Sequence, residues 1–262
     1  MMLAHDTHHG SGGLGPVVIL VVVAAAYVVA AERCRLEPRG WNSWRTVSFL
    51  VGIGLLVLAV VPALSPYPEG DFRGHMHQHL LLGMYAPLAL VLGAPMTLVL
   101  RSVSPPIGRA IGRVLRSRPV HVIADPVVAL ALNLGGLALL YFTPLYEATT
   151  HSTALHLLVH VHFFLAGYLF AWVVAGPDPA PGRPSVPARL WILGAAILGH
   201  AVLSQLMYAG LLVQIPVPAD QRQGAGELMY YGGDIAELLL ALALLLTWRP
   251  ARRREETPAG RR

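Results

Sequence analysis

His75, Met76 and His79 stand together at the start of one apolar stretch, HMHQHLLLGMYAPLALVLGAPMTLVL, and His156 and His160 near the start of another, ALHLLVHVHFFLAGYLFAWVVA. Each histidine pair has the spacing i, i+4, so on a helix its two imidazoles stack on one face and are able to chelate a single ion. Histidine is costly in hydrocarbon, and its presence there asks for a chemical reason such as metal ligation or proton transfer. Met76, Met84 and Met207 offer thioethers, and with Cys34 as the only thiol the donor set leans towards Cu(I). Two helices each presenting a histidine pair at similar depth are what a shared inter-helix site requires. The competing readings are hydrogen bonds from imidazoles to loops, or two unrelated polar contacts. A haem between axial histidines would use the same residue types, with His160 and His200 as its natural ligands.

Three further features bear on this chemistry. His200, Ser204 and Met207 follow one helical stripe, along which a soft ion could pass, although a methionine there is more often packing. Asp234 and Glu237 are the carboxylates that fall well inside an apolar stretch, and such groups carry protons or orient ligand histidines. Cys34, between Arg33 and Arg35, allows no intramolecular disulfide and no CxxC site.

The elements that must position these residues are membrane helices. The chain has 262 residues, 55% hydrophobic and 13% charged, with a mean hydropathy of +0.58. That composition belongs to an integral membrane protein of all-α class. Seven apolar stretches, at about 16–31, 46–64, 75–100, 126–142, 154–175, 189–213 and 228–248, predict one seven-helix domain. It lies between a glycine-rich tail at 1–15, holding His5, His8 and His9, and a basic tail at 249–262. The tail at 1–15 has no basic residue and so lacks the charged n-region of a secretory signal.

All nineteen basic residues are arginines, and all but Arg73 and Arg222 sort to alternate loops and the C-terminal tail. The positive-inside rule then predicts an N-terminus outside and a C-terminus in the cytoplasm, with most histidines at the outer face. This sidedness accounts for the net charge of +5 without a nucleic-acid partner. Pro105, Pro106 and Pro119 keep the basic loop after the third stretch from forming one helix. No P-loop or nucleophile elbow is present, and no enzymatic activity is expected.

HMHQHLLLGMYAPLALVLGAP at 75–95 is similar to the HMxxH helix, ending in a Leu-Gly-x-Pro turn, of the CtaG-type membrane proteins required for cytochrome c oxidase assembly in many bacteria. TPLYEATTHSTALHLLVHVHFFLAGYLFAW at 143–172 and the Asp220-Gln221 pair before a glycine-rich segment extend the resemblance over most of the chain from about residue 45. Leu80 departs from it, where a methionine often follows the histidine, as does Gly224-Ala225-Gly226 in place of a tighter double glycine. The resemblance implies a multi-pass protein of the bacterial plasma membrane that supports formation of the oxidase copper centre. Its expected partners are the lipid bilayer, an oxidase subunit and a copper chaperone. The expected Cu(I) ligands are His75, Met76, His79, His156 and His160, with Met84, His200, Met207, Asp220, Asp234 and Glu237 as secondary candidates. A haem-binding electron-transfer protein, a copper or proton transporter using His200, Asp234 and Glu237, and a pure assembly scaffold remain alternatives.

Overall fold

The computed structural model describes residues 14–247, so His5, His8, His9 and the basic tail lie outside the described residues. Among those described, the regular structure is entirely helical. In order the helices are α1 (Leu14–Arg35), α2 (Ser43–Val60), α3 (Phe72–Leu80), α4 (Ala86–Leu92), α5 (Pro95–Ser102), α6 (Pro105–Leu115), α7 (Arg118–Ile123), α8 (Pro126–Phe142), α9 (Leu145–His151), α10 (Thr153–Ala175), α11 (Val186–Ala209) and α12 (Ala219–Leu246). A 3-10 turn at Pro62–Leu64 follows α2, and a π-helical turn, Leu81–Tyr85, joins α3 to α4. α1, α2, α10, α11 and α12 are each long and apolar enough to cross a membrane; the total is seven if each of two bent pairs counts as one crossing. The chain is a multi-pass membrane protein.

The departures from the expected spans have local causes. The third stretch starts earlier than expected, at Phe72, because Asp71 caps it. It ends as a continuous helix at Leu92 and turns by 43° into α5. Proline disfavours a right-handed helical residue before it, and Ala94, which precedes Pro95, takes the left-handed conformation at φ 52°. The fourth stretch ends as expected at Phe142, but what reads as a loop after it forms α9, bent 76° from α8 at Thr143-Pro144. The last helix begins at Ala219 rather than near 228. Its glycine-rich segment is helical because α11 passes against it, and a Cβ on Gly226 would lie 3.0 Å from Tyr208 N and 3.1 Å from Ser204 O.

Long-range hydrogen bonds define two ends of the bundle. At the arginine-rich end, Arg101 donates to Gly40 O, Thr247 to Ala175 O, and Arg189 to Val174 O. Asp178 accepts from the backbone N–H groups of Met96 and Thr97 at the start of α5. At the histidine-rich end, Phe72 N–H donates to Gln221 Oε1, Gln214 N–H to Tyr141 O, and Gln78 Nε2 to Ala59 O. Between the ends, α10 crosses the π-helical turn with glycine facing glycine, Gly167 against Gly83. Adjacent small residues let two backbones approach closely where hydrocarbon gives no hydrophobic drive to associate.

Candidate functional site

α3 is held at its first turn by Asp71, whose carboxylate accepts from Arg73 N–H at 2.8 Å and from the Arg73 guanidinium at 2.6 Å. These bonds hold the Asp71 carboxyl below its ordinary range. A depressed carboxyl contributes stability that is in place above its unfolded-state value near 3.8 and is lost as the pH falls through the folded-state value. Asp71→Ala is accordingly expected to cost about 0.5–2 kcal/mol at neutral pH. The difference from the parent protein should shrink in thermal melts run progressively below about pH 4.

With α3 fixed, His75 enters an aromatic enclosure. Phe72 stacks beside its ring at a centroid distance of 5.7 Å and 11° between planes, while Tyr141 and Tyr146 present edges at 6.1 and 5.1 Å. The Tyr141 hydroxyl and His75 Nε2 are 3.4 Å apart, at the long limit of a hydrogen bond. Across the helix interface the His160 ring lies 6.2 Å from that of His75, and His156 meets His160 edge to face at 4.2 Å. His156 is exposed and His160 half-buried with Nε2 unpartnered. This run of three imidazoles borders a vestibule of about 560 Å³ at the histidine-rich end, which His75, His77, His151 and His156 line together with Tyr67 and Glu69.

The two histidines of the i, i+4 pair on α3 have different surroundings. His75 turns to the aromatic enclosure, whereas His79 lies buried one turn deeper, T-shaped to Phe163 with ring centroids 4.6 Å apart and neither ring nitrogen partnered among the described residues. Met76 is fully buried in an apolar cluster with Phe72, Leu137, Met207 and Met229, so the sequence-predicted thioethers of Met76 and Met207 serve packing. His77 faces Tyr67 rather than the cluster, and His162 reaches the Leu132 carbonyl on α8 at 3.2 Å. Among the described residues, no three or more His, Cys, Asp or Glu side chains are gathered so as to hold a metal ion. The imidazoles of the cluster meet ring to ring and do not converge on a point.

A second polar group lies in the bundle interior. His200 Nδ1 and Glu237 Oε1 are 2.6 Å apart, both residues are buried, and His200 Nε2 and Glu237 Oε2 have no partner among the described residues. Ser204 Oγ donates to the His200 carbonyl at 2.7 Å. A cavity of about 30 Å³ lined by Gly83, Met84, Asn133, His200 and Glu237 adjoins the pair, large enough for one water. Asp234 is half-buried and Asp220 exposed in the first turn of α12. Sequence reasoning missed Phe72, Tyr141 and Tyr146, which enclose His75; a tyrosine at either side of the Thr143-Pro144 break was the available signal.

Comparison with known proteins agrees with this architecture. The family profile described as cytochrome c oxidase caa3 assembly factor (Caa3_CtaG) matches residues 25–251. Relatives include the uncharacterized proteins Mb0105 of Mycobacterium bovis and MT0111 of Mycobacterium tuberculosis, each 29% identical over 254 residues, and ML1998 of Mycobacterium leprae, 28% identical over 248 residues. The alignments cover 89%, 89% and 87% of this chain but 38% of each relative, so the chain spans well under half the length of the curated proteins it matches. No solved structure matches. With the profile covering all twelve helices but the first half of α1, the chain belongs to the cytochrome c oxidase caa3 assembly factor family.

Proposed function

We propose that this protein supports maturation of a haem–copper cytochrome c oxidase in a bacterial cell membrane, accepting Cu(I) at its histidine-rich end and releasing it to an oxidase subunit. The observation that carries the reading is the run of His156, His160 and His75, in ring contact across two helices beside an open vestibule. Imidazole is a suitable donor for copper, and the family's role in assembling a copper-containing oxidase is compatible with that metal. A donor set that is not closed into a cage suits hand-over, because transfer needs binding without trapping. His156 is exposed, while Tyr141 steadies His75. The chemistry required is ligand exchange, so no catalytic group is called for. With the arginine-rich end in the cytoplasm, the vestibule opens outside, where a copper chaperone would approach.

The test is a Cu(I) competition titration of the full chain in detergent under reducing conditions. Near-stoichiometric binding is expected in the parent protein and in His79→Ala, and loss of binding in His75→Ala/His156→Ala/His160→Ala. Binding that is absent in the parent, or unchanged in the triple variant, would leave an assembly scaffold whose histidines contact partners. A Soret band in protein purified from its own membrane would move the assignment to haem and to His160 and His200.

A further inference from the structure

At the arginine-rich end, a second large cavity lies against the outside of the bundle. It has a volume of about 420 Å³ and is almost wholly apolar, with α10 supplying one wall through Leu165, Leu169 and Trp172, and α8 another through Leu132. The short helices α6 and α7 close its mouth with Leu115, Val120 and Ile123. Leu132, Leu165 and Ile123 are exposed, so the cavity is a groove open to the surroundings. Along α10 it runs from His162 to Trp172, which at 1.5 Å per residue is about 15 Å, half of a hydrocarbon core of about 30 Å. The groove therefore has the depth of one leaflet, and Trp172 stands at the level where membrane tryptophans gather.

The two short helices that contribute Leu115, Val120 and Ile123 to its lining are rich in arginine. On α6, Arg109 and Arg113 are i, i+4 neighbours and Arg116 caps the helix one turn on, while Ile107, Ala110, Ile111 and Val114 form the opposite stripe. Ile107 and Val114 are exposed, so that apolar stripe has no protein cover. This is the pattern of a helix lying in the membrane interface. Arg109, Arg113, Arg116 and Arg118 are all exposed, and none pairs with an acidic side chain among the described residues. Arg183 is fixed at the same place by donating to the carbonyls of Trp172 at 3.0 Å and Asp178 at 2.8 Å, both groove residues, and its Nε is buried without a partner. The one acid of the groove, Asp178, is already engaged by Met96 N–H, Thr97 N–H and the Thr97 hydroxyl.

We infer that this groove is a binding site for an anionic phospholipid of the leaflet at the arginine-rich end. One acyl chain lies between α8 and α10, and the phosphate is met by Arg183 and the arginines of α6 and α7. The site is independent of the copper reading and stands at the other end of the molecule.

The experiment is native mass spectrometry of the full chain released from nanodiscs of equal phosphatidylcholine and phosphatidylglycerol. The parent protein is expected to retain phosphatidylglycerol in clear excess over phosphatidylcholine. Arg116→Gln/Arg118→Gln should reduce that retention by about five-fold for each arginine. Arg116→Lys/Arg118→Lys should keep it, and Leu165→Trp, which fills the groove from an exposed wall, should abolish it. Thermal melts matching the parent establish that the variants fold. Retention of the two lipids in bulk proportion would mean annular lipid only and would overturn the site. So would phosphatidylglycerol retention unaffected by the arginine-to-glutamine change, or unaffected by the groove-filling one.

Discussion

Gly167→Ala is expected to destabilise the bundle by about 1–3 kcal/mol, and by more if α10 has nowhere to shift. A Cβ at that position would run into the Gly83 carbonyl oxygen, with the carbonyl carbon at 2.7 Å and the Cα at 3.2 Å. The obstacle is backbone, and backbone inside a helix cannot rotate away as a side chain does. Gly54→Ala provides the comparison, since a Cβ there meets nothing within 4 Å. It should be neutral, or stabilising by up to about 1 kcal/mol through helix propensity. Thermal melts of both variants in one detergent check the difference, and equal melting would show that this crossing does not hold the bundle. The functional corollary follows from position. α10 carries His156 and His160, so pushing it from the turn that follows α3 would draw both away from His75 and weaken any site built from them.

Glu237→Ala should cost about 1–3 kcal/mol, because it strips the buried His200 imidazole of the only partner it has among the described residues. The double variant His200→Leu/Glu237→Leu should recover most of that loss, since two apolar side chains leave no polar atom unsatisfied. A double-variant cycle by denaturant titration in mixed micelles measures the coupling. Additive single effects would mean that the two groups do not depend on each other, despite a separation of 2.6 Å.

The helices were legible because they rest on composition, in runs of apolar residues long enough to cross a membrane. Prolines were legible too. Pro105 and Pro106 open α6 and Pro119 sits in the first turn of α7, so the basic loop is two short helices rather than one, as their spacing implied. For the candidate site, i, i+4 spacing correctly placed the His156 and His160 rings in contact. It could not say what His75 and His79 meet, because which neighbour a ring meets depends on the facing helix, here Tyr141 and His160 for one and Phe163 for the other. Glu237 and His200 were each conspicuous alone, but their pairing is a property of how α11 packs on α12. The π-helical turn could not be read at all, and the glycine it lies against, Gly167, is far along the chain.

That turn divides one membrane-length helix into two lengths whose rotational phase is set separately. α4 is keyed to α2 by Ser48 donating to the Ala89 carbonyl, and its neighbouring Gly93 accepts from Tyr27 on α1. α3 is keyed instead to α12 through Gln221. Each residue added to or removed from a helix turns everything beyond it by about 100°. The π-helical turn holds one residue more than an α-helical turn would, so it works as a phase shifter between the two anchored halves. The direction in which His75 faces is therefore decided by the five residues Leu81–Tyr85, without altering how the lower half of the same helix is seated.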